Sequence, residues 1–524
     1  MTEIEYYISL GYTEKQANRI ASLNFEKKFD VVDGISEMFS RKSGGRGAGV
    51  MSASKVKTCE RYFVAPEELG VPHSPGPINL MALDVENVRT DAYEHFEDNG
   101  IKSVEANPTS DFRATNNTAA ASIIINNFRN GARISHDMIR TEELLNCLPF
   151  NLKSPKNEKF AITTDYIRKD DNATLFIGVK SNPVIPVRQN IALLIDTSGS
   201  MCTKTLQIRT TFATVFAKMN EGDILSIITY SDEDHTFVNG MVKTARHDID
   251  YVLDKLKKMY IDGCTNGSAG IETAYKIVEE NYMKDGINRV ILVTDGDLNF
   301  GITKKDGLTD LISEKKKTGA YLSCIGTGLY NLMDDKLETL AKNGNGNYFV
   351  INSLEDADDF LNKKYASLVF PVARNVKVQV EFNPAVVKGY RQIGYENRQI
   401  SREQFRDDNV ISEPFGSDSQ CIAGYELYFE DKSNLQPLKY QKSEAVESDE
   451  LCTITVRYQE VDSDEYFEVS SAVKSEETEG KNAKRMLMCY ALAESLRKGQ
   501  MKLPSGEDAV QLYMTMLKHP EFVE

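Results

Sequence analysis

The chain lacks any apolar run long enough to cross a membrane. Its start, Met1-Thr-Glu-Ile-Glu-Tyr-Tyr, lacks the basic residues and apolar centre of an export signal. It is also short of positive charge. Against 78 Asp and Glu stand 62 Lys and Arg, a formal net charge of −16, which argues against a general binder of nucleic acid or anionic membrane and leaves protein partners open. The eight cysteines, at 59, 147, 202, 264, 324, 421, 452 and 489, nowhere form a Cys-x-x-Cys pair, so neither a zinc ribbon nor a redox motif is expected. Cys324 falls in an apolar strand and Cys489 in a helix, where thiols act as small hydrophobes. Unpaired thiols without an export signal give a reducing, cytoplasmic location as the expectation. Asn172-Ala-Thr and Asn266-Gly-Ser match the glycosylation pattern, which carries no weight without secretion. Missing too are Gly-x-Ser-x-Gly, Gly-x-x-x-x-Gly-Lys and His-Glu-x-x-His. The one glycine-rich turn after a strand, Gly326-Thr-Gly328, has no third glycine.

What is present is organised around residues 191–201, Ile-Ala-Leu-Leu-Ile-Asp-Thr-Ser-Gly-Ser-Met. The apolar run 191–195 reads as a strand buried on both faces. It ends at Asp196, passes through a hydroxyl-rich turn with Ser198 and Ser200, and enters a helix over 204–219 whose Leu206, Phe212, Val215, Phe216 and Met219 share a face. In an open parallel sheet the C-terminal strand ends are where ligands bind. One carboxylate and two hydroxyls are hard oxygen donors suited to Mg²⁺. By itself Asp-x-Ser-x-Ser also reads as a capped turn. Two further pieces accompany it: Val290-Ile-Leu-Val-Thr-Asp-Gly-Asp297, a second buried strand ending in acid, and Asp262-Gly-Cys-Thr-Asn-Gly-Ser268, a loop carrying Thr265 before a helix over 268–283.

Those pieces in that order resemble the metal ion-dependent adhesion site of von Willebrand factor type A (VWA) domains. The resemblance implies direct contacts to a metal from Ser198 and Ser200, Thr265 direct or through water, and charge from Asp196 and Asp295, often through water. The ion implied is Mg²⁺, with Mn²⁺ and Ca²⁺ as alternatives. Asp297 reads as a capping or solvated carboxylate, and Cys202 and Cys264 as packing thiols. His235, within Ser-Asp-Glu-Asp-His, reads as part of an exposed acidic loop.

With 524 residues the chain is too long for one core, and its 41% hydrophobic and 27% charged content is that of an ordinary globular protein. Residues 1–40 carry helical patterning, in which Leu10-Gly11-Tyr12 and the later apolar positions Val31, Val32 and Ile35 resemble a ubiquitin-associated (UBA) domain. That likeness implies a ubiquitin-facing patch. Residues 41–77 read as a Gly- and Ser-rich linker, and 78–187 as an α+β segment with strands at 78–85, 160–166 and 173–179 and helices at 119–128 and 137–148. The unit 188–369 alternates strand and helix: strands at 191–196, 224–230, 236–242, 289–294, 320–326 and 347–351, and helices at 204–219, 247–259, 268–283, 307–318, 334–342 and 355–368. This pattern predicts an α/β, doubly wound, mostly parallel sheet. From 370 to 475 the period changes to two, as in Val376-Lys-Val-Gln-Val-Glu-Phe382, which predicts a β-sandwich-like flank with a loop over 431–450. Helices at 483–496 and 507–517 close the chain within a segment 476–524.

A wider likeness rests on four stretches: Arg140-Thr-Glu-Glu-Leu-Leu-Asn146, residues 286–297, Gly344-Asn-Gly-Asn-Tyr348, and Val378-Gln-Val-Glu-Phe-Asn-Pro384 with Ile393-Gly-Tyr-Glu-Asn-Arg398. Residues 80–520 resemble the YfbK-like bacterial VWA proteins, which implies a VWA domain set between β-rich segments that pack together. The function expected is non-enzymatic: a metal-dependent protein–protein contact, of adhesion or adaptor type, that captures a partner's Asp or Glu. A metal-dependent hydrolase stands as one alternative, because Mg²⁺ held by carboxylates can activate water, and a ubiquitin-linked adaptor as another, resting wholly on the N-terminal unit. No histidine or spare carboxylate is fixed by the pattern as a general base.

Overall fold

The structure is a computed structural model, and it describes residues 91–169, 171–231, 234–244, 267–297, 305–328, 330–430, 448–461, 463–503 and 507–519. The UBA-like unit, the linker, the strand expected at 78–85, the helix expected at 247–259, most of the loop after 430, Thr265 and Cys264 lie outside the described residues.

Ahead of the central unit come strands β1 (Lys102–Ser103), β2 (Thr109–Arg113), β3 (Phe160–Lys169) and β4 (Asn172–Ser181). The central unit supplies β5 (Gln189–Asp196), β6 (Ile224–Tyr230), β7 (Asp234–Val242), β8 (Ile287–Thr294), β9 (Tyr321–Gly326) and β10 (Tyr348–Val350). After it come β11 (Pro371–Phe382), β12 (Gly389–Ile393), β13 (Gln399–Ile400), β14 (Phe415–Gly416), β15 (Gln420–Tyr428), β16 (Glu450–Glu460) and β17 (Tyr466–Lys474).

Among the described residues the central sheet runs β10-β9-β8-β5-β6-β7, parallel throughout except for the antiparallel edge β7. All eight residues of β5 are buried, because helices cover both faces. Alternation along the strand sends Ile191, Leu193 and Ile195 to one side, with Phe212 and Val215 of the helix Thr205–Lys218. Ala192 and Leu194 face the other side, with Ile271 and Ala274 of the helix Gly267–Glu280. The chain leaves β5 toward β6 and β7 on one side and returns to build β8, β9 and β10 on the other. The C-terminal ends of β5 and β8 therefore flank the point where the winding reverses, the place where open α/β sheets bind ligands.

The flank is a sandwich of two antiparallel sheets, β1-β12-β15-β4-β3 and β13-β2-β11-β16-β17. They share one core, with Leu175, Ile177 and Val179 from β4 and Val378 and Val380 from β11. Strands from before and after the central unit pair directly: Phe112 of β2 with Val378, and Phe176 of β4 with Gly424. Helices Lys481–Arg497 and Ala509–Lys518 close a further core with the helices Ala119–Arg129 and Thr141–Cys147. No helix among the described residues is long and apolar enough to cross a membrane.

Two expected helices are interrupted. The one read over 137–148 is a short 3₁₀ turn, His136–Met138, followed by the helix Thr141–Cys147. Between them Arg140 is extended (φ −83°, ψ 103°), and its buried guanidinium bonds Glu143 and Asp334. The helix read over 355–368 is α over Leu354–Asp359, π over Phe360–Lys364 and α over Tyr365–Val369. The wider turn brings Phe360 and Tyr365, five residues apart, into the same core with ring centroids 6.3 Å apart. His235 lies on strand β7 rather than in a loop, and it is exposed as expected.

Candidate metal centre

The end of β5 and the end of β8 are adjacent strand ends, with Ile195 paired to Val293. This brings Asp196 beside Thr294 and Asp295, and both acids are fully buried. After Asp196 the chain turns sharply. The Thr197 N–H and hydroxyl both donate to the Tyr230 carbonyl of β6 (2.9 and 3.0 Å), and the Ser198 N–H donates to Asp196 Oδ1 at 2.9 Å. That turn sets the Ser198 and Ser200 hydroxyls 3.1 Å apart, Ser198 buried and Ser200 exposed. The hydroxyl pair therefore spans the boundary between sheet interior and solvent.

The carboxylates are held rigidly. Asp196 Oδ2 accepts from the Thr294 hydroxyl at 2.6 Å, and that hydroxyl accepts from the Gly296 N–H at 2.9 Å. Asp295 Oδ1 accepts from the Asp297 N–H at 3.1 Å, while Oδ2 accepts from Lys204 Nζ at 2.8 Å and Asn331 Nδ2 at 2.7 Å. The Asp295 carbonyl also accepts from the Met333 N–H at 2.8 Å. Burial, and next the neighbouring Asp295 charge, push the Asp196 carboxyl up to about 6, with the Thr294 and Ser198 bonds opposing them. Lys204 offsets one of these two charges, which leaves the pair net negative.

Of the five residues expected to hold metal, Asp196, Ser198, Ser200 and Asp295 come together at this one strand edge. Thr265 lies outside the described residues, just before the helix Gly267–Glu280. Asp297 touches Asp295 through its backbone N–H, and its side chain is half-buried. Three more side chains belong to the centre and were not singled out from sequence: Lys204, Thr294 and Asn331. Thr294 is the last residue of β8 and was within reach of a reading that looked one residue before the acid. Lys204 and Asn331 reach Asp295 across 91 and 36 residues. Gly328 admits them closely, since a Cβ there would stand 2.9 Å from Asn331 Oδ1 and 3.4 Å from Lys204 Nζ.

The donor set fits a hard divalent ion: carboxylate and hydroxyl oxygens, with no soft ligand among the described members. Among the described residues no three His, Cys, Asp or Glu side chains converge on a point that could hold a metal.

Three family models match successive parts of the chain: von Willebrand factor over residues 87–174, von Willebrand factor type A domain over 190–363, and "Uncharacterized protein YfbK, C-terminal" over 367–510. The protein YfbK of Escherichia coli (strain K12) is 30% identical over 386 residues, which are 68% of this chain and 65% of that protein. Inter-alpha-trypsin inhibitor heavy chain H3 of Homo sapiens is 27% identical over 214 residues, 40% of this chain and 24% of that protein. This chain therefore spans less than two thirds of the length of either. A solved von Willebrand factor type A structure from Catenulispora acidiphila superposes with a TM-score of 0.39 at 14% identity, covering 64% of this chain and 79% of that one. The chain is a YfbK-like VWA protein.

Proposed function

We propose that the centre at the ends of β5 and β8 binds a divalent ion, Mg²⁺ first, and that the ion captures an Asp or Glu side chain of a protein partner. The observation that carries this reading is the joining of two buried carboxylates, Asp196 and Asp295, with the Ser198–Ser200 hydroxyl pair at a solvent boundary. Ser198 and Ser200 would contact the ion directly and Thr265 directly or through water; Thr265 precedes in sequence the helix Gly267–Glu280, whose N-terminal dipole also favours an anion. Uncharged hydroxyls add geometry without cancelling charge, so the ion stays electrophilic and keeps a position that a carboxylate oxygen can take. That resolves the apparent conflict of an acidic chain binding an acidic ligand, because the field at the site belongs to the ion.

The reading is one of binding rather than turnover. All four oxygens of Asp196 and Asp295 already accept hydrogen bonds from the scaffold, which suits fixed charge better than proton shuttling. The proposal keeps the reducing, cytoplasmic location. Cys147, Cys324, Cys421, Cys452 and Cys489 are free thiols, all but Cys147 fully buried, and burial pushes the Cys147 thiol up to about 11.

The test is affinity capture on the full chain with Mg²⁺ or with chelator, beside Ser198→Ala. Partners retained with Mg²⁺ and lost in both controls support the reading, and retention indifferent to both contradicts it. Hydrolysis of phosphoesters or peptides with Mg²⁺ or Mn²⁺, abolished by Asp196→Ala, would overturn the non-enzymatic part.

A further inference from the structure

The centre contains a cation of its own. Lys204 ends the 3₁₀ turn Gly199–Lys204, the turn that carries Ser200. Its side chain is 9% exposed, and its Nζ lies 2.8 Å from Asp295 Oδ2 and 3.1 Å from Asn331 Oδ1, with the Met201 sulfur at 3.8 Å. The ammonium is therefore fixed among groups drawn from three separate segments. It is not a surface lysine that happens to swing inward.

Counting formal charges shows what this does. Asp196 and Asp295 carry two negative charges, and Lys204 cancels one. A divalent ion added to that site brings it to a net charge of plus one. A carboxylate from outside then brings it to zero. Without Lys204, the two aspartates alone match the charge of the ion, which keeps its open coordination position but draws a third carboxylate in less strongly. We propose that Lys204 is a built-in counter-ion that weakens metal binding on its own and couples metal retention to capture of an acidic side chain. The proposal rests on the metal reading above and adds a condition to it: ion and acidic ligand bind together or poorly. Beside carboxylates this buried a unit charge a few ångströms away changes ion affinity on the order of tenfold or more.

The experiment is calorimetric titration of MgCl₂ into the full chain and into Lys204→Met, each alone and with an acetylated, amidated Gly-Asp-Gly peptide, the matching Gly-Asn-Gly peptide serving as control. The expected result is weak binding of Mg²⁺ by the unaltered chain, tightened by the Asp peptide and not by the Asn peptide. Lys204→Met should bind Mg²⁺ alone on the order of tenfold more tightly, with the Asp peptide adding little. If Lys204→Met binds Mg²⁺ no more tightly than the unaltered chain, or the Asp peptide helps both equally, the counter-ion role is overturned while the metal site stands. If no version binds Mg²⁺, the metal reading itself fails and takes this inference with it. Should Lys204→Met fail to fold, Lys204→Arg and Lys204→Gln decide: the arginine keeps the coupling and the glutamine loses it, and equal behaviour of the two contradicts the proposal.

Discussion

Thr294 shows how much of the centre depends on single hydroxyls. It donates to Asp196 Oδ2 and accepts from the Gly296 N–H, so one oxygen fixes both the acid at the end of β5 and the turn after β8. Thr294→Val keeps the β-branched shape and leaves a buried carboxylate oxygen and an N–H without that partner. A loss of about 1–3 kcal/mol in urea-unfolding stability is expected. A chain equally stable without the hydroxyl would mean that the carboxylate is satisfied in another way. At this scale the residues legible in sequence were those that close a strand or follow it at fixed spacing, Asp196, Ser198, Ser200 and Asp295. Lys204 and Asn331 were not legible, because they enter through tertiary approach of segments far apart in the chain. The UBA-like patch and Thr265 lie outside the described residues.

Among the elements, the turn after the helix Asp334–Asn343 gives a physical reason for the stretch Gly344-Asn-Gly-Asn-Tyr348. Asn345 is left-handed (φ 51°), and a Cβ on Gly346 would stand 1.9 Å from the Leu322 carbonyl oxygen of β9. The turn is bonded to β9 on both sides of that point, through the Leu322 N–H to Gly344 and the Cys324 N–H to Asn347. Gly346→Ala therefore has to push β9 away, and it should cost about 2–3 kcal/mol in denaturant unfolding, with an unchanged midpoint refuting the close approach. Strands with continuous apolar runs, such as β5 and β8, were readable directly. The edge strand β17, Tyr466-Phe-Glu-Val-Ser-Ser-Ala-Val-Lys, lacks clean alternation and takes its place through β16. The breaks at Arg140 and Phe360 were unreadable for a related reason: each is set by partners across the molecule, not by the local pattern.

Across the whole molecule, central unit and flank meet at a buried ionic seam. Arg398 bonds Glu413 at 2.5 Å, Glu142 and Glu143 at 3.4 Å each, and Glu338 more closely still. Arg140 bonds Glu143 and Asp334. Glu338 and Asp334 belong to the helix Asp334–Asn343 of the central unit, whereas Arg398 and Glu413 belong to the flank. The charged residues of Arg140-Thr-Glu-Glu and Glu-Asn-Arg398, conspicuous in sequence only as a family likeness, thus acquire a structural role. Burial alone would raise the Glu338 carboxyl, but Arg398 and Arg140 together bring it down from 4.5 to about 2. A carboxyl depressed on folding stabilises above its unfolded value and loses that contribution as pH falls from about 4.5 to about 2. Glu142 and Glu413 are pushed upward by burial, so the total acid profile mixes both signs. The difference between the unaltered chain and Glu338→Gln follows Glu338 together with Glu413, which shares Arg398 with it: on the order of 3 kcal/mol near pH 7, shrinking toward pH 3. A difference constant across that range would contradict the pairing. The sandwich itself was legible as period-two strands after residue 372. The family likeness implied that the segments on both sides pack together, but the interior places of β2 and β4 in the sheets were not legible, because pairings such as Phe112 with Val378 bridge the entire central unit. The proposed function depends on an ion at the ends of β5 and β8. The most direct measurement is calorimetric titration of Mg²⁺ and Mn²⁺ into the folded full chain, into Ser198→Ala and into Asp196→Asn. Saturable binding by the unaltered chain, weakened on the order of tenfold or more in both variants, is the predicted result. No divalent binding at millimolar concentration, or binding that ignores both substitutions, would contradict the account.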